Sequence, residues 1–563
     1  MRTESPVFQF RALEMHGSRM WRPDRLFEAL DFASSHQMTA LVLHDNTIIH
    51  DTIFPKKYFD DSKRKGYAQV RRHQNAIYAK QAYLNDLLKH AKRKNIEVWV
   101  EIKELEFPDE LLESFPQLSK DGKVCPTDPL WLEYLQVKTD EFFELFPDMA
   151  GIIVSSGSPE SRAFLSVGGK CSCDRCQATD FGDWCYGIIM GIYQSVKAHG
   201  KKLAVRDFVY SPEDHQRLSG IISRTPEDVI FCIKVTPRDF WPTFPDNPMI
   251  GRFKERTQWI EYDVFGQFFG WGVCPAIVLE DIRKRFEYAH SQGVSGVVLR
   301  TEWENVPELS CFDNLNKINL IGGAGIAIDL KHSDEEIISK WLEEEGILSN
   351  GSEWGEKVNV LELTEFLLKT WPIMKKTIYI DGFVFATCSE LPLNIEKAWF
   401  TMTFYHSLAA WEPSAAQRIS MAYNNLIRLL NEKDDALKEI RELLTYLDRN
   451  DFGLPEPGYL KIKEAFLHYE RYVKCFVLAA GACLIPRALC AGTEDETQRK
   501  DLIGRLESNL NQLSKYVAEL KAFEESTSYP YYVYLLNNYR NLKEIMEQAQ
   551  LELDGLVVNK EVI

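Results

Sequence analysis

Two acidic side chains carry the first chemical suggestion in this sequence. Glu160 stands in "SSGSPESRAF" and Asp239 in "KVTPRDFWPTF". Cleaving a glycosidic bond takes two carboxyl groups, one to protonate the leaving oxygen and one to activate water or attack the sugar. Each of these residues follows a short apolar run that reads as a strand. If those strands share one sheet, the two carboxyls can face each other across a sugar. Aromatic residues crowd the same stretches: Phe240, Trp241 and Phe244, then Phe268, Phe269 and Trp271. Such rings stack on the C–H faces of sugars. The competing reading for any one of these groups is an ordinary ion pair or ordinary packing.

Further polar residues end other apolar runs. His16 follows the first run, and His44, Asp45 and Asn46 follow the second. They could bond sugar hydroxyls, or the two histidines could hold a hydrolytic metal with nearby acids; buried, satisfied histidines are the plainer reading. Lys103 and Glu104, Arg206 and Asp207, Lys234 and Arg238, and then Glu261, Asp263 and Gln267 come next. Last are Arg300 and Glu302. Arg300 either pairs with Glu302 or Asp263 as a structural fork, or holds a substrate carboxylate or hydroxyl. The stretch "GKCSCDRCQATDFGDWC" places Cys171, Cys173, Cys176 and Cys185 in one loop. Four thiolates suffice for a structural zinc site; a reduced cysteine-rich loop is the alternative. No cofactor is expected for catalysis. The glycines of "LIGGAGIAI" lack the lysine or distal acid of a nucleotide loop and read as a close backbone approach.

These residues need a scaffold that gathers strand ends. Eight apolar runs occupy the first part of the chain: "VFQFRALEMH", "ALVLHDN", "EVWVEIKEL", "GIIVSSGS", "KLAVRDFVYS", "VIFCIKVTP", "WIEYDVFG" and "GVVLRTEWEN". Amphipathic segments such as "RLFEALDFASSHQM" and "LEDIRKRFEYAHSQG" alternate with them. Eight strand–helix units predict a (β/α)8 barrel, whose carboxyl-terminal strand ends form the site. After about residue 340 strand signals fade and long helical stretches take over. We read residues 1–335 as the barrel domain and 336–563 as an all-helical C-terminal domain that packs tightly on it and offers a surface for a homodimer.

The bulk numbers set outer limits. A chain of 563 residues is too long for one ordinary core. Its net charge of −17 argues against nonspecific nucleic-acid binding. The N-terminus has no charged segment followed by an apolar run, and no stretch of about 18 uninterrupted apolar residues occurs. The longest apolar stretch, "CFVLAAGACLIP", reads as a buried helix. Twelve cysteines without a regular framework suit reduced thiols and a cytoplasmic location.

The succession "VRDFVYS", "DVIFCIKVTPRDFWPTFPDNPMIG", "QWIEYDVFGQFFGWG" and "DNLNKINLIGGAGIAIDLKHSDEEIISKWLEEE" resembles the family 67 alpha-glucuronidases in order and approximate spacing. That resemblance spans roughly a third of the chain. It implies an exo-acting, inverting glycoside hydrolase that removes an alpha-linked uronic acid, or a related sugar, from an oligosaccharide. Glu160 falls on the family's general acid, and its pKa is expected to be raised. Asp239 falls on one of two base-side carboxylates. Arg206 and Lys234 fall on cations that contact the uronic acid. The sequence also departs from the family. Gln267 stands where the second base-side residue is a glutamate, as a native amide or a replaced acid. Ser156 stands where the family has a substrate-binding lysine, and the barrel signals begin at the start of the sequence, where the family has a β-domain. A protein that binds sugars without cleaving them is the alternative.

Overall fold

The computed structural model describes residues 5–59, 67–120, 122–155, 160–165, 171–266, 270–303, 306, 308–348, 357–492 and 495–561. Eight parallel strands close into a barrel in chain order: β1 Phe10–His16, β2 Ala40–His44, β3 Glu97–Lys103, β4 Gly151–Ser155, β5 Lys202–Arg206, β6 Ile230–Lys234, β7 Gln258–Asp263 and β8 Gly296–Arg300. Each apolar run of the sequence supplies one strand. The runs are nearly continuous in Val, Ile and Leu because both faces of a parallel strand are covered. One face looks into the barrel and the other meets helices such as Pro23–Ser35, Leu130–Leu145, Phe181–Ala198 and Leu279–Ser291.

The sixth connection departs from the expected strand–helix alternation. Residues 235–257 join β6 to β7 without a helix. Four prolines, Pro237, Pro242, Pro245 and Pro248, remove backbone donors and break helical geometry there. The helical region covers this loop instead. Thr243 Oγ1 donates to the Gly382 carbonyl at 2.7 Å, and Arg238 Nε donates to the Tyr405 carbonyl at 3.1 Å.

Side chains alternate across a strand, so every second residue enters the barrel. At the amino-terminal floor Phe10 stacks on Trp259, with centroids 3.6 Å apart, and Trp99 meets Trp259 edge-on. Gly151 and Gly296 make room for these rings: a Cβ at either would overlap the Trp99 or Trp259 indole. Ala12, Ala40, Val42, Ile153, Ala204, Cys232 and Val298 form the apolar plug above them. The barrel is therefore a filled core, and any site must lie above the plug.

Helices Tyr423–Leu447, Glu456–Ala491, Glu496–Ser526 and Tyr539–Glu561 dominate the C-terminal part. Glu456–Ala491 carries "CFVLAAGACLIP" and is long and apolar enough to cross a membrane by composition. Within this protein 78% of its apolar window is buried, as a core helix would be.

Candidate active site

The alternation that fills the plug with apolar groups places polar ones at the carboxyl-terminal end. Two residues beyond the plug, or beyond the floor residues Trp99 and Trp259, come Glu14, His44, Glu101, Ser155, Arg206, Lys234, Glu261 and Arg300; His16, Lys103 and Asp263 stand one step higher. The sequence expectation that strand ends gather the polar groups is met in this layer.

The deepest charges satisfy one another. Arg206 donates through Nε and Nη2 to Glu261 at 2.5 and 2.6 Å, and its Nε lies 3.2 Å from Glu101. This bidentate pair occupies the fork that the resemblance assigns to a substrate carboxylate. Arg206 thus braces β5 against β7 and β3. Burial, reinforced by Glu14 and Glu261, pushes the Glu101 carboxyl up to about 8 despite Arg206 and Lys103. His16 and His44 stack with centroids 3.9 Å apart, and both reach Glu14 Oε1, at 3.5 and 2.7 Å. Burial pulls Glu14 upward, but the two histidines and Arg300 hold it well below the usual range.

The rim holds the two proposed acids. Glu160 lies 3.0 Å from Lys103 Nζ, and its side chain is 50% exposed. Burial raises its pKa, but Lys103, Lys234 and Arg206 outweigh that and bring it below the ordinary value. This corrects the expectation of a raised pKa: cations surround Glu160 where an apolar wall or a carboxylate was expected. Asp239 lies 3.4 Å from Lys234 Nζ. Burial again raises its pKa, and Lys234, His406, Arg238 and Arg300 together lower it. Arg238, just before it, has φ +72°, a left-handed conformation that costs a non-glycine residue energy. Stacking of its guanidinium on Tyr210 and Tyr405 holds that turn and aims Asp239. The half-buried ring of Phe208 lies beside both lysines, its centroid 4.0 Å from Lys103 Nζ and 4.3 Å from Lys234 Nζ.

Asp263 differs from its neighbours. Its Oδ1 accepts from the Phe265 and Gly266 amides at 2.9 and 3.2 Å. Its Oδ2 is buried with no hydrogen-bond partner among the described residues. Burial, with a push from Asp239, raises its pKa to about 7 against the pull of Arg300 and the two amides. Arg300 donates from Nε to the Glu302 carbonyl at 3.1 Å. The Glu302 carboxylate turns instead to Arg19 at 2.9 Å and the His16 amide at 3.0 Å, and burial pushes it up to about 8.

Other expected binders have different placements. Asp45 accepts from Thr47 N and Oγ1, both at 2.9 Å, and from Trp21 Nε1 at 3.3 Å, which fixes the turn after β2. Asn46 keeps a buried Oδ1 without a partner among the described residues. Trp241 is corrected: it is 0% exposed, bonded through Nε1 to His406 at 3.2 Å and packed edge-on to Tyr379. The ring forms the seam with the helical region and offers no face to a sugar. Trp271 is likewise buried, stacked on Trp371. Gln267, Phe268, Phe269 and Ser156 lie outside the described residues. The sequence reading missed Glu14, Glu101 and Phe208, although strand alternation from Ala12, Trp99 and Ala204 marks the first two and the cationic neighbours of Phe208.

The cysteine loop also needs a correction. Cys171, Cys173 and Cys176 converge, but the fourth thiol beside them is Cys125; Cys185 lies in helix Phe181–Ala198, outside the group. A helical residue nearby in sequence is held to its own axis, whereas the neighbouring barrel loop brings in a thiol distant in sequence.

Neither a family model nor a curated protein matches this sequence. The fold is similar to that of a GH138 enzyme targeting pectin rhamnogalacturonan II. The match covers 92% of this chain and 63% of that one, with TM-score 0.59 and 12% identity. A beta-N-acetylhexosaminidase from Bacteroides fragilis NCTC 9343 matches over 61% of this chain and 71% of its own, with TM-score 0.40 and 14% identity. A GH20 exo beta-N-acetylglucosaminidase from Vibrio harveyi, in complex with N-acetylglucosamine, matches over 61% and 59%, with TM-score 0.41 and 12% identity. All three are glycoside hydrolases. At 12% identity the likeness to the GH138 enzyme is one of fold.

Proposed function

We propose that this protein is a glycoside hydrolase that takes an anionic, uronic-acid-like sugar at the carboxyl-terminal mouth of its barrel. The observation that carries this reading is the pair of buried lysines. Lys103 and Lys234 flank one Phe208 ring, and each holds one of the candidate acids, Glu160 and Asp239. The family 67 resemblance and the barrel likeness to glycoside hydrolases support the same class.

Asp239 is the water-activating carboxylate, since the cations around it keep it ionised. Glu160 is the proton donor to the leaving oxygen. In the unliganded site Lys103 opposes that role. A substrate carboxylate drawn between Lys103 and Lys234 would neutralise their pull and add a negative charge near Glu160, both of which raise its pKa. Binding of the correct sugar would thus arm the acid. The resemblance makes the reaction inverting, which needs carboxyls separated by roughly 6.5–9.5 Å.

One observation favours a second donor. Asp263 has a buried Oδ2 without a hydrogen-bond partner among the described residues and a pKa pushed to about 7, beside an ionised Asp239. Carboxyls with divergent pKa values divide acid and base roles.

The test is hydrolysis of uronic-acid and neutral oligosaccharides by the protein and its Glu160→Gln, Asp239→Asn and Asp263→Asn variants, with the first product anomer read by NMR. The expected result is turnover of the anionic substrates with inversion, reduced about 100-fold or more by Asp239→Asn. A donor must be protonated, so a rate that falls above pH 7 in the wild type but not in Asp263→Asn assigns the proton to Asp263. Sugar binding without turnover would replace hydrolysis by binding; neither binding nor turnover would remove the sugar reading.

A further inference from the structure

We propose that Cys125, Cys171, Cys173 and Cys176 bind one zinc ion that staples the loop after β3 to the loop after β4. The four sulfurs already stand close enough together to share one ion. Cys171 Sγ is 3.2 Å from Cys173 and 3.3 Å from Cys176, and Cys125 Sγ is 3.6 Å from each of those two. All four lie within 4.8 Å of one another. A tetrahedral zinc with bonds of about 2.3 Å sets its sulfurs about 3.8 Å apart, so small adjustments suffice. A disulfide would join only two of them and needs a separation near 2 Å.

The surroundings suit thiolates. The Cys176 amide donates to Cys173 Sγ at 3.4 Å, and Thr127 Oγ1 lies 3.2 Å from Cys176 Sγ and 3.5 Å from Cys125 Sγ. Arg175, held at 2.7 Å by Asp128, places a cation beside Cys125, where it offsets the net negative charge of a four-thiolate zinc complex. Tryptophans fix the loop that carries Cys125: Trp131 Nε1 donates to the Cys125 carbonyl at 2.7 Å and Trp184 Nε1 to the Pro126 carbonyl at 2.9 Å. Such outer contacts orient ligands before the ion arrives.

Four sulfurs leave no open position, so the ion is structural. Its place explains a use. Glu160 begins a described stretch whose near side is anchored by Ser161 Oγ to the Leu105 amide at 3.3 Å and by the Arg162 amide to Glu106 at 3.1 Å. The zinc would anchor the far side of the same loop.

The experiment measures metal in the full chain, expressed with added zinc and purified without chelator. About one zinc per chain is expected in the wild type and in Cys185→Ala, and less than a tenth of that in Cys125→Ala. Because Cys125→Ala can fail to fold, wild-type protein is also loaded with Co(II), whose tetrahedral thiolate complex absorbs in the visible and near ultraviolet. The absence of both zinc and the cobalt spectrum in folded wild-type protein overturns the proposal. So does zinc lost from Cys185→Ala but kept by Cys125→Ala.

Discussion

The two ends of the barrel are built from the same eight strands and are stabilised in opposite ways. The floor is a matter of shape. Phe10, Trp99 and Trp259 interlock, and two glycines give up their side chains to admit the rings. The mouth is a matter of charge. Arg206, Glu261, Glu101, Glu14 and His44 form a buried polar layer whose members are tolerable only in company. The contrast shows why chemistry sits at one end only. A close-packed apolar floor has nothing to titrate, whereas a charged layer under a partly open rim spreads carboxyl pKa values from well below the usual range at Glu14 to about 8 at Glu101.

That contrast can be broken most severely at the mouth. Glu261→Ala leaves the buried Arg206 guanidinium without its bidentate partner and is expected to cost about 3–5 kcal/mol in chemical denaturation. Loss of less than about 1 kcal/mol would mean that Glu101 alone satisfies Arg206. At the floor, Gly296→Ala forces a methyl group into the Trp259 indole and is expected to cost about 1–3 kcal/mol; an unchanged Tm would show that the ring can move aside. Phe10→Leu keeps the floor apolar but loses the stack on Trp259, at about 1 kcal/mol.

A pH series sharpens the same comparison. The Asp263 pKa is raised from its ordinary 3.8 to about 7 by folding. The folded state therefore binds this proton more tightly than the unfolded state does. The associated stability is full below about pH 4 and is lost as pH rises through 7. Asp263→Asn should lessen the fall of Tm between pH 4 and 8, leaving the part that Glu101 and Glu302, both raised to about 8, contribute. A curve that keeps its slope in the variant would place the titration on another group.

Much of the architecture was legible without coordinates. Periodicity gave all eight strands, because parallel strands buried on both faces leave unmistakable apolar runs. It also gave the helical second half. The prolines of residues 235–257 were visible, yet their consequence, a helixless connection covered by the helical region, was not drawn. Within the site the sequence found the strand-end residues, including Lys103, Lys234 and Asp263. It overlooked Glu14 and Glu101, which lie inside apolar strands and look like interruptions until alternation turns them inward. It assigned Trp241 to a sugar because an aromatic near an acid is equally suited to a platform or to a seam. Exposure distinguishes the two, and exposure is a property of the fold.

What the sequence alone determined is therefore what local rules govern: strand and helix periodicity, the end of each strand where polar groups gather, and the thiols of one loop. Only the tertiary structure decided which charges meet. It closed Arg206 onto Glu261, set Lys103 against Glu160, and replaced Cys185 by Cys125 in the thiol cluster. The physical reason is that electrostatic and coordination geometry depend on distances of a few ångströms between strands and loops. Those distances are fixed by barrel closure, and separation along the chain does not reveal them.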